Sequence, residues 1–416
     1  MRVLVVSWEY PPVVVGGLGR HVHHLAEAVA AEGHEVIVLT RHPSGTDALT
    51  HPTTDTVVNG VRVIAVAEDP PAFDFGADMM AWTLAMGHGF VRAGLRILRD
   101  EPAPDVVHAH DWLVAHPAIA LAEYFDAPLV STLHATEAGR HSGWVAGHIN
   151  RQVHSVEWWL ANASDALITC SASMHDEVVT LFGPDLPPIS VIHNGIDVGT
   201  WNFVDRAVRI EPPHLLFAGR LEYEKGMQDL LEALPAIRRA HPGTHLTVAG
   251  DGTQTAWLHE LAHEHEVTAA VDFVGKKDRE GLMDLMHRCD AIVLPSRYEP
   301  FGIVALEAAA TGIPLITSTA GGLGEAVADG ETGWTFEPFD PAGIAIAVCA
   351  ALDDPAAAQV RARCGRTRLG VEFTWQAIAA RTAEVYQAAQ RRPDRPLGRP
   401  TISMRPMPER DPSKDV

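Results

Sequence analysis

The sequence predicts an α/β protein built from two successive doubly wound parallel-sheet halves. Three observations predict it. Short Val-, Ile- and Leu-rich runs alternate with longer stretches of helical periodicity along most of the chain. The runs are apolar throughout, as strands covered by helices on both faces must be. The alternation pauses once, near residues 196–212, and then restarts.

The elements follow in order. Met1–Ser7 reads as a strand, Leu18–Glu32 as a helix and Glu35–Thr40 as a strand. Val61–Val66, Val106–His108, Leu129–Leu133, Ala166–Cys170 and Ile189–Ile192 continue the strand series. Asn194-Gly195 is a turn signal, and Thr200–Pro213 is irregular with paired prolines. The second series runs His214–Phe217 (strand), Glu224–Arg239 (helix), His245–Ala249 (strand) and Thr253–His265 (helix). Strands Val271–Val274, Ala291–Leu294, Leu315–Thr317 and Gly333–Phe336 follow. Trp375–Ala389 is a last amphipathic helix. Arg391–Val416 has six Pro, six Arg and few large apolar groups, so it is expected to be disordered or loosely attached. In doubly wound sheets the ligand lies outside the carboxyl ends of the strands, which here points to the cleft between the halves.

Length and composition agree. A chain of 416 residues suits two or three domains, and 47% hydrophobic with 20% charged residues is ordinary for a globular protein. The net charge of −21 argues against nucleic acid or an anionic membrane as the main partner. No apolar run approaches the roughly 18 residues of a membrane span, and the opening MRVLVVSWEY lacks the pattern of a secretion leader. Four scattered cysteines without a CxxC pair read as reduced thiols in a cytosolic protein.

Four groups of residues could carry chemistry. Gly16-Gly17-Leu18-Gly19 lies between the first strand and the first helix, where glycine lets a ligand approach backbone N–H groups at a helix N-terminus. A plain tight turn would look the same. The run from Gly219 to Gly226, GRLEYEKG, places Arg220 and Lys225 at a strand's carboxyl end, a fork and a point charge suited to a pyrophosphate. A solvated pair bridged to Glu222 and Glu224 is the bland alternative. Glu299 sits in a turn made by Pro300 and Gly302. A helix starting near Phe301 or Gly302 would carry Glu307 about two turns along, giving two carboxylates for sugar hydroxyls. His108-Ala-His110-Asp111 follows one strand and His134 ends the next. Sixteen of the 23 histidines precede residue 196, which suggests a polar-lined site or simply buried, hydrogen-bonded imidazoles. Six of ten tryptophans (Trp8, Trp82, Trp112, Trp144, Trp158, Trp159) lie there too, as sugar platforms or as core.

Two metal signals fail. His259-Glu-Leu-Ala-His263 matches the zinc-protease HExxH, but it falls on a regular helix of the second series. No DxD triplet occurs, so no carboxylate pair for a divalent metal on a diphosphate is expected.

Together these elements resemble the retaining glycosyltransferases of family 4 and the related bacterial and archaeal glycogen synthases, over about residues 1–390. The resemblance rests on GGLG at 16–19, HAHDW at 108–112, TLHATE at 132–137, HNGID at 193–197, GRLEYEKG at 219–226 and the pair Glu299/Glu307. SWEYPPVVVGGLGRHV at the start and MMAWTLAMGH at 79–88 look closer still to actinobacterial α-1,4-glucosyltransferases of methylglucose polysaccharide or glycogen assembly.

The resemblance implies a GT-B fold: two Rossmann-like domains facing across a cleft. Residues 1–200 would bind acceptor and 201–375 the nucleotide-sugar donor. Residues 376–390 would cross back as a helix, and 391–416 would form the tail. It also implies a retaining, metal-independent transfer of glucose from UDP- or ADP-glucose to the non-reducing end of an α-1,4-glucan, with no cofactor. Arg220 and Lys225 would bind the diphosphate, Glu299 the donor glucose and Glu307 the ribose. Asp111 and His134 would contact the donor glucose, backbone N–H groups around Gly17, Phe301, Gly302 and Ile303 would complete the phosphate cradle, and Glu9, Glu137 and His110 would line the sugar and acceptor side. Other sugars or acceptors, a GT-B nucleotide-sugar epimerase, a pyridoxal-dependent phosphorylase and a non-catalytic binding module are the rivals. The donor base, the linkage and any homo-oligomer stay open.

Overall fold

The computed structural model describes residues 1–43, 46, 48–67, 73–141, 143, 145, 147–205 and 212–391. The expected Pro/Arg-rich tail from 392, Trp144 and part of the expected boundary at 206–211 lie outside them.

The first sheet holds β1 (Arg2–Val6), β2 (Glu35–Arg41), β3 (Thr54–Val58), β4 (Val61–Val66), β5 (Val106–His110), β6 (Leu129–Leu133), β7 (Ala166–Thr169) and β8 (Ile189–Val191). Their spatial order is β3-β4-β2-β1-β5-β6-β7-β8. The second holds β9 (His214–Ala218), β10 (His245–Ala249), β11 (Val271–Phe273), β12 (Ala291–Leu294), β13 (Leu315–Ser318) and β14 (Trp334–Phe336), in the order β11-β10-β9-β12-β13-β14. Every pair is parallel except β3–β4. β1, β5, β6 and β12 are buried at every residue, the reason their sequences are largely apolar or small, with Arg2, His108 and His110 as buried exceptions.

The sequence reading missed β3. Its residues Thr-Asp-Thr-Val-Val are mostly exposed, so no apolar run marks it. It is an edge strand closed onto β4 by Asn59-Gly60, both at positive φ (50° and 81°), the pair a tight hairpin favours. The expected helix Glu224–Arg239 also differs. A single 3₁₀ turn, Tyr223–Lys225, ends at Gly226 (φ 68°), and the α-helix runs Met227–Ala240.

In each sheet the chain starts centrally, fills one side and returns to the other. The switch points lie between β1 and β5 and between β9 and β12. The helix Trp375–Gln390 packs against Gly17–Ala31 of the first domain and sets Ile378, Ala379, Val385 and Tyr386 into the core of the first sheet. No single helix among the described residues is long and apolar enough to cross a membrane.

Candidate active site

Both switch points open onto one cleft. Glu9 and Gly16–Gly19 follow β1, Asp111 follows β5, Arg220 and Lys225 follow β9, and Glu299 follows β12. The two domains touch here. A Cβ on Gly17 would lie 2.9 Å from Ile303 Cδ1, so the N-termini of the helices Gly17–Ala31 and Ile303–Thr311 abut. His193 stacks on Phe301 at 5.3 Å. Tyr298 Oη donates to Glu177 Oε1 (3.0 Å) and accepts from the Thr136 N–H (3.3 Å). Glu325 accepts from the N–H groups of Ala172 (3.0 Å) and Ser173 (3.1 Å), at the start of the helix Ala172–Phe182.

The charges in the cleft are paired. Lys225 Nζ bonds Glu299 Oε2 at 2.7 Å, both side chains mostly buried. Arg220 Nη2 bonds Glu224 Oε1 at 2.8 Å, with the arginine 56% exposed and so able to swing. Arg20, on the first-domain helix, bonds Glu307 Oε1 in the second domain. The two abutting helices begin at glycines, Gly16 and Gly302, which offer no side chain to cap the N–H groups of the first turn. Free N–H groups and the positive ends of two helix dipoles therefore converge where three cations are already held by carboxylates, a site prepared for a multiply charged anion.

Beside it lies a polar wall from the first domain. Asp111 has φ 62° and ψ 174°, a conformation close to glycine-only, and its Oδ1 accepts from the His134 N–H at 2.7 Å. Such strain costs of order 1–3 kcal/mol and persists only where the surroundings enforce it, characteristically at functional sites. Burial pushes the Asp111 carboxyl up to about 6, against the opposing pull of the His134 N–H and Arg140. His134 Nε2 and His110 Nδ1 are 3.0 Å apart, one donating and the other accepting. Burial pulls His134 down to about 3, helped by Arg140, and His110 well below the ordinary imidazole range, so both rings are neutral. His108 joins the set, bonded to Thr132 Oγ1 and, from the crossing helix, to Tyr386 Oη, each at 2.7 Å.

The geometry alters several expectations. His108 and His110 lie inside β5 rather than after it, because Val-Val-His-Ala-His stays extended to its end. The helix after Glu299 starts at Ile303, which puts Glu307 about one turn in, not two. The Phe301 side chain is core, which is compatible with the backbone contact expected of it. Glu9 is buried and braces the glycine loop, its Oε2 accepting from Val15 N (2.7 Å) and Gly16 N (3.0 Å), instead of facing an acceptor. Glu137 is engaged locally, accepting from Asn150 Nδ2 at 2.5 Å and pairing with His141 at 3.2 Å. In the HExxH segment, His259 packs its ring on Phe273 at 4.0 Å. Ring nitrogens of His21, His110 and His134 come within 4.8 Å of one another, a set in which His110 and His134 are bonded together.

Sequence reasoning passed over Arg20, Tyr298 and Glu325, whose partners are all distant in the chain. One signal was available for the last. Gly321-Gly322-Leu323-Gly324 repeats the tetrapeptide Gly16–Gly19, and it packs on the Glu299 loop, with the Gly322 N–H on Glu299 O at 2.9 Å.

Comparison with known proteins places the geometry. Residues 15–200 match the model of "Glycosyltransferase Family 4" and residues 203–368 that of "Glycosyl transferases group 1". A glycogen synthase from Mycobacterium tuberculosis is 62% identical over 414 residues, 99% of this chain and 100% of the relative. A D-inositol 3-phosphate glycosyltransferase from Xylanimonas cellulosilytica is 32% identical, covering 91% and 94%. Among solved structures, a sucrose-phosphate synthase from Thermosynechococcus elongatus superposes with a TM-score of 0.79 at 25% identity, covering 93% of this chain and 98% of that one. The catalytic domain of starch synthase IV from Arabidopsis thaliana shares the fold, with a TM-score of 0.72 at 18% identity over 94% and 99%.

Proposed function

The chain belongs to the family 4 glycosyltransferases, and from that premise we propose that it is a glycogen-synthase-type retaining α-glucosyltransferase. It moves glucose from a nucleotide-glucose, UDP- or ADP-linked, to the non-reducing end of an α-1,4-glucan. The reading places it in the cytoplasm, in glycogen or methylglucose polysaccharide synthesis. The observation that carries it is the meeting of two helix N-termini that begin at glycine with Lys225 and Arg220 at the facing switch points.

In transfer, the bond from glucose C1 to the diphosphate oxygen breaks and charge grows on the leaving phosphate. Lys225 leaves or shares Glu299 and, with Arg220 released from Glu224, meets that charge where it develops. Glu299 then accepts from hydroxyls of the glucose, and Glu307, with one oxygen buried and unpartnered among the described residues, accepts from the ribose. Asp111 and the neutral His134 hold the sugar from the other side. The oxocarbenium-like C1 is attacked on the face the phosphate leaves, and the phosphate takes the proton of the acceptor hydroxyl, so configuration is retained.

Two measurements test this. Purified protein incubated with UDP-, ADP- or GDP-glucose and short maltooligosaccharides should lengthen the glucan by α-1,4 links, read by NMR. No lengthening with any of the three donors would overturn the reading. Lys225→Ala should lower kcat by on the order of 100-fold while changing donor KM much less, as expected for a contact made chiefly in the transition state.

A further inference from the structure

We propose that Arg20 is the residue through which the first domain controls donor binding in the second, and that it does so by positioning Glu307. The inference rests on the donor role given to Glu307 above. Glu307 is 3% exposed, and its helix, Ile303–Thr311, is otherwise buried on nearly all sides by apolar residues and Thr311. One carboxylate oxygen bonds Arg20 and the other is buried with no partner among the described residues. Burial favours the neutral acid, and Arg20 is what opposes it. A carboxylate accepts hydrogen bonds on both oxygens. A protonated one has a donor in place of part of that capacity and binds a diol less well.

Arg20 stands four residues beyond Gly16, on the helix whose N-terminus abuts Ile303. Its side chain is 45% exposed, so the arm reaches through the cleft rather than through packed core. The Arg20 contact that aims Glu307 and favours its charged form is therefore made only when the first domain sits against the second. Affinity for the nucleotide is coupled to closure by this one pair, and the glucosyl centre near Lys225 and Asp111 is not part of the coupling. Arg20 acts before chemistry, on binding, whereas Lys225 acts during it.

The test uses the full chain and the nucleotides UDP and ADP, with affinity read by calorimetry and kinetics read with the matching nucleotide-glucose. Arg20→Gln should weaken nucleotide binding and raise donor KM by roughly 10-fold, within the usual span of a two-site coupling. It should leave kcat and acceptor KM within about twofold of the parent. Arg20→Lys should recover part of the loss. Glu307→Gln should also weaken binding, and adding Arg20→Gln to it should cost little more, because the arginine works through that carboxylate. A full Arg20 effect in the Glu307→Gln background, equal losses in kcat and acceptor KM, or unchanged nucleotide affinity in Arg20→Gln would each overturn the inference while leaving the glucosyltransferase reading intact. Failure of the parent protein to bind either nucleotide would overturn both.

Discussion

Asp111 shows how one residue can be costly to the fold and useful to the site. Its backbone sits at φ 62° and the residue is 7% exposed, with the carboxyl raised to about 6. A carboxyl raised above its ordinary value stabilises the native state at low pH and loses that contribution as pH rises through the folded value. The penalty for ionised Asp111 is thus absent below about 4 and complete above about 6. Asp111→Asn keeps an oxygen to accept from the His134 N–H but carries no charge. It should stabilise the protein by roughly 1–3 kcal/mol at pH 7.5 and lose that advantage by pH 4, in urea titrations at the two pH values. Glucosyl transfer should fall in the same variant. Equal stability at pH 7.5 would show that burial does not strain this group.

At the scale of elements, the loops after the central strands are held by backbone contacts that exclude a side chain. Gly226, between the Lys225 turn and the helix Met227–Ala240, has φ 68°, and a Cβ there would stand 1.8 Å from the Pro295 carbonyl oxygen. That contact ties the loop bearing Arg220 and Lys225 to the loop bearing Glu299. Gly226→Ala combines a left-handed backbone with a clash that no rotamer relieves, so a loss of about 3 kcal/mol is expected in thermal or urea unfolding. Donor affinity should fall with it, because Lys225 and Glu299 separate. Wild-type stability together with wild-type donor affinity would refute the coupling of the two loops. This much was legible in part: GRLEYEKG reads as a ligand loop, but its tie to Pro295 is a contact 69 residues along the chain.

For the whole molecule, the helix Trp375–Gln390 is the element that returns the chain to its beginning. It seats Ile378, Val385 and Tyr386 in the first domain's core, and Tyr386 bonds His108. Three such side chains at about 1.5–3 kcal/mol each approach the roughly 5–15 kcal/mol that holds a domain together. A chain ending at Thr374 should therefore lose its cooperative unfolding transition or aggregate on expression, checked by calorimetry and size-exclusion chromatography. Removing residues 392–416 instead, which lie beyond that helix, should leave the transition in place. The charge of the molecule fits the same picture. Seven basic and four acidic residues give the segment from 391 a charge of +3, leaving −24 on the body. On the proposed reading, an anionic donor is held against that field by a few local cations and helix ends rather than by the surface as a whole.

Periodicity and turn chemistry are local, and they determined a great deal here. Two runs of apolar strands alternating with helices, the pause between them and the glycine and proline loops at strand ends gave both sheets and placed Gly17, Asp111, Arg220, Lys225 and Glu299 at the mouths of central strands. The edge strand β3 escaped because its partner, not its own composition, makes it a strand. What tertiary structure alone decided was which charges meet and which groups are dry. Arg20 and Glu307 are 287 residues apart, Tyr298 and Glu177 are 121 apart, and no repeat in the sequence joins them. Glu9 reads like any loop carboxylate until its burial against Val15 and Gly16 is seen. The histidines become harder to protonate, and Asp111 becomes a weaker acid, only when the fold buries them. Desolvation and Coulomb attraction depend on distance in space, and the sequence encodes distance along the chain.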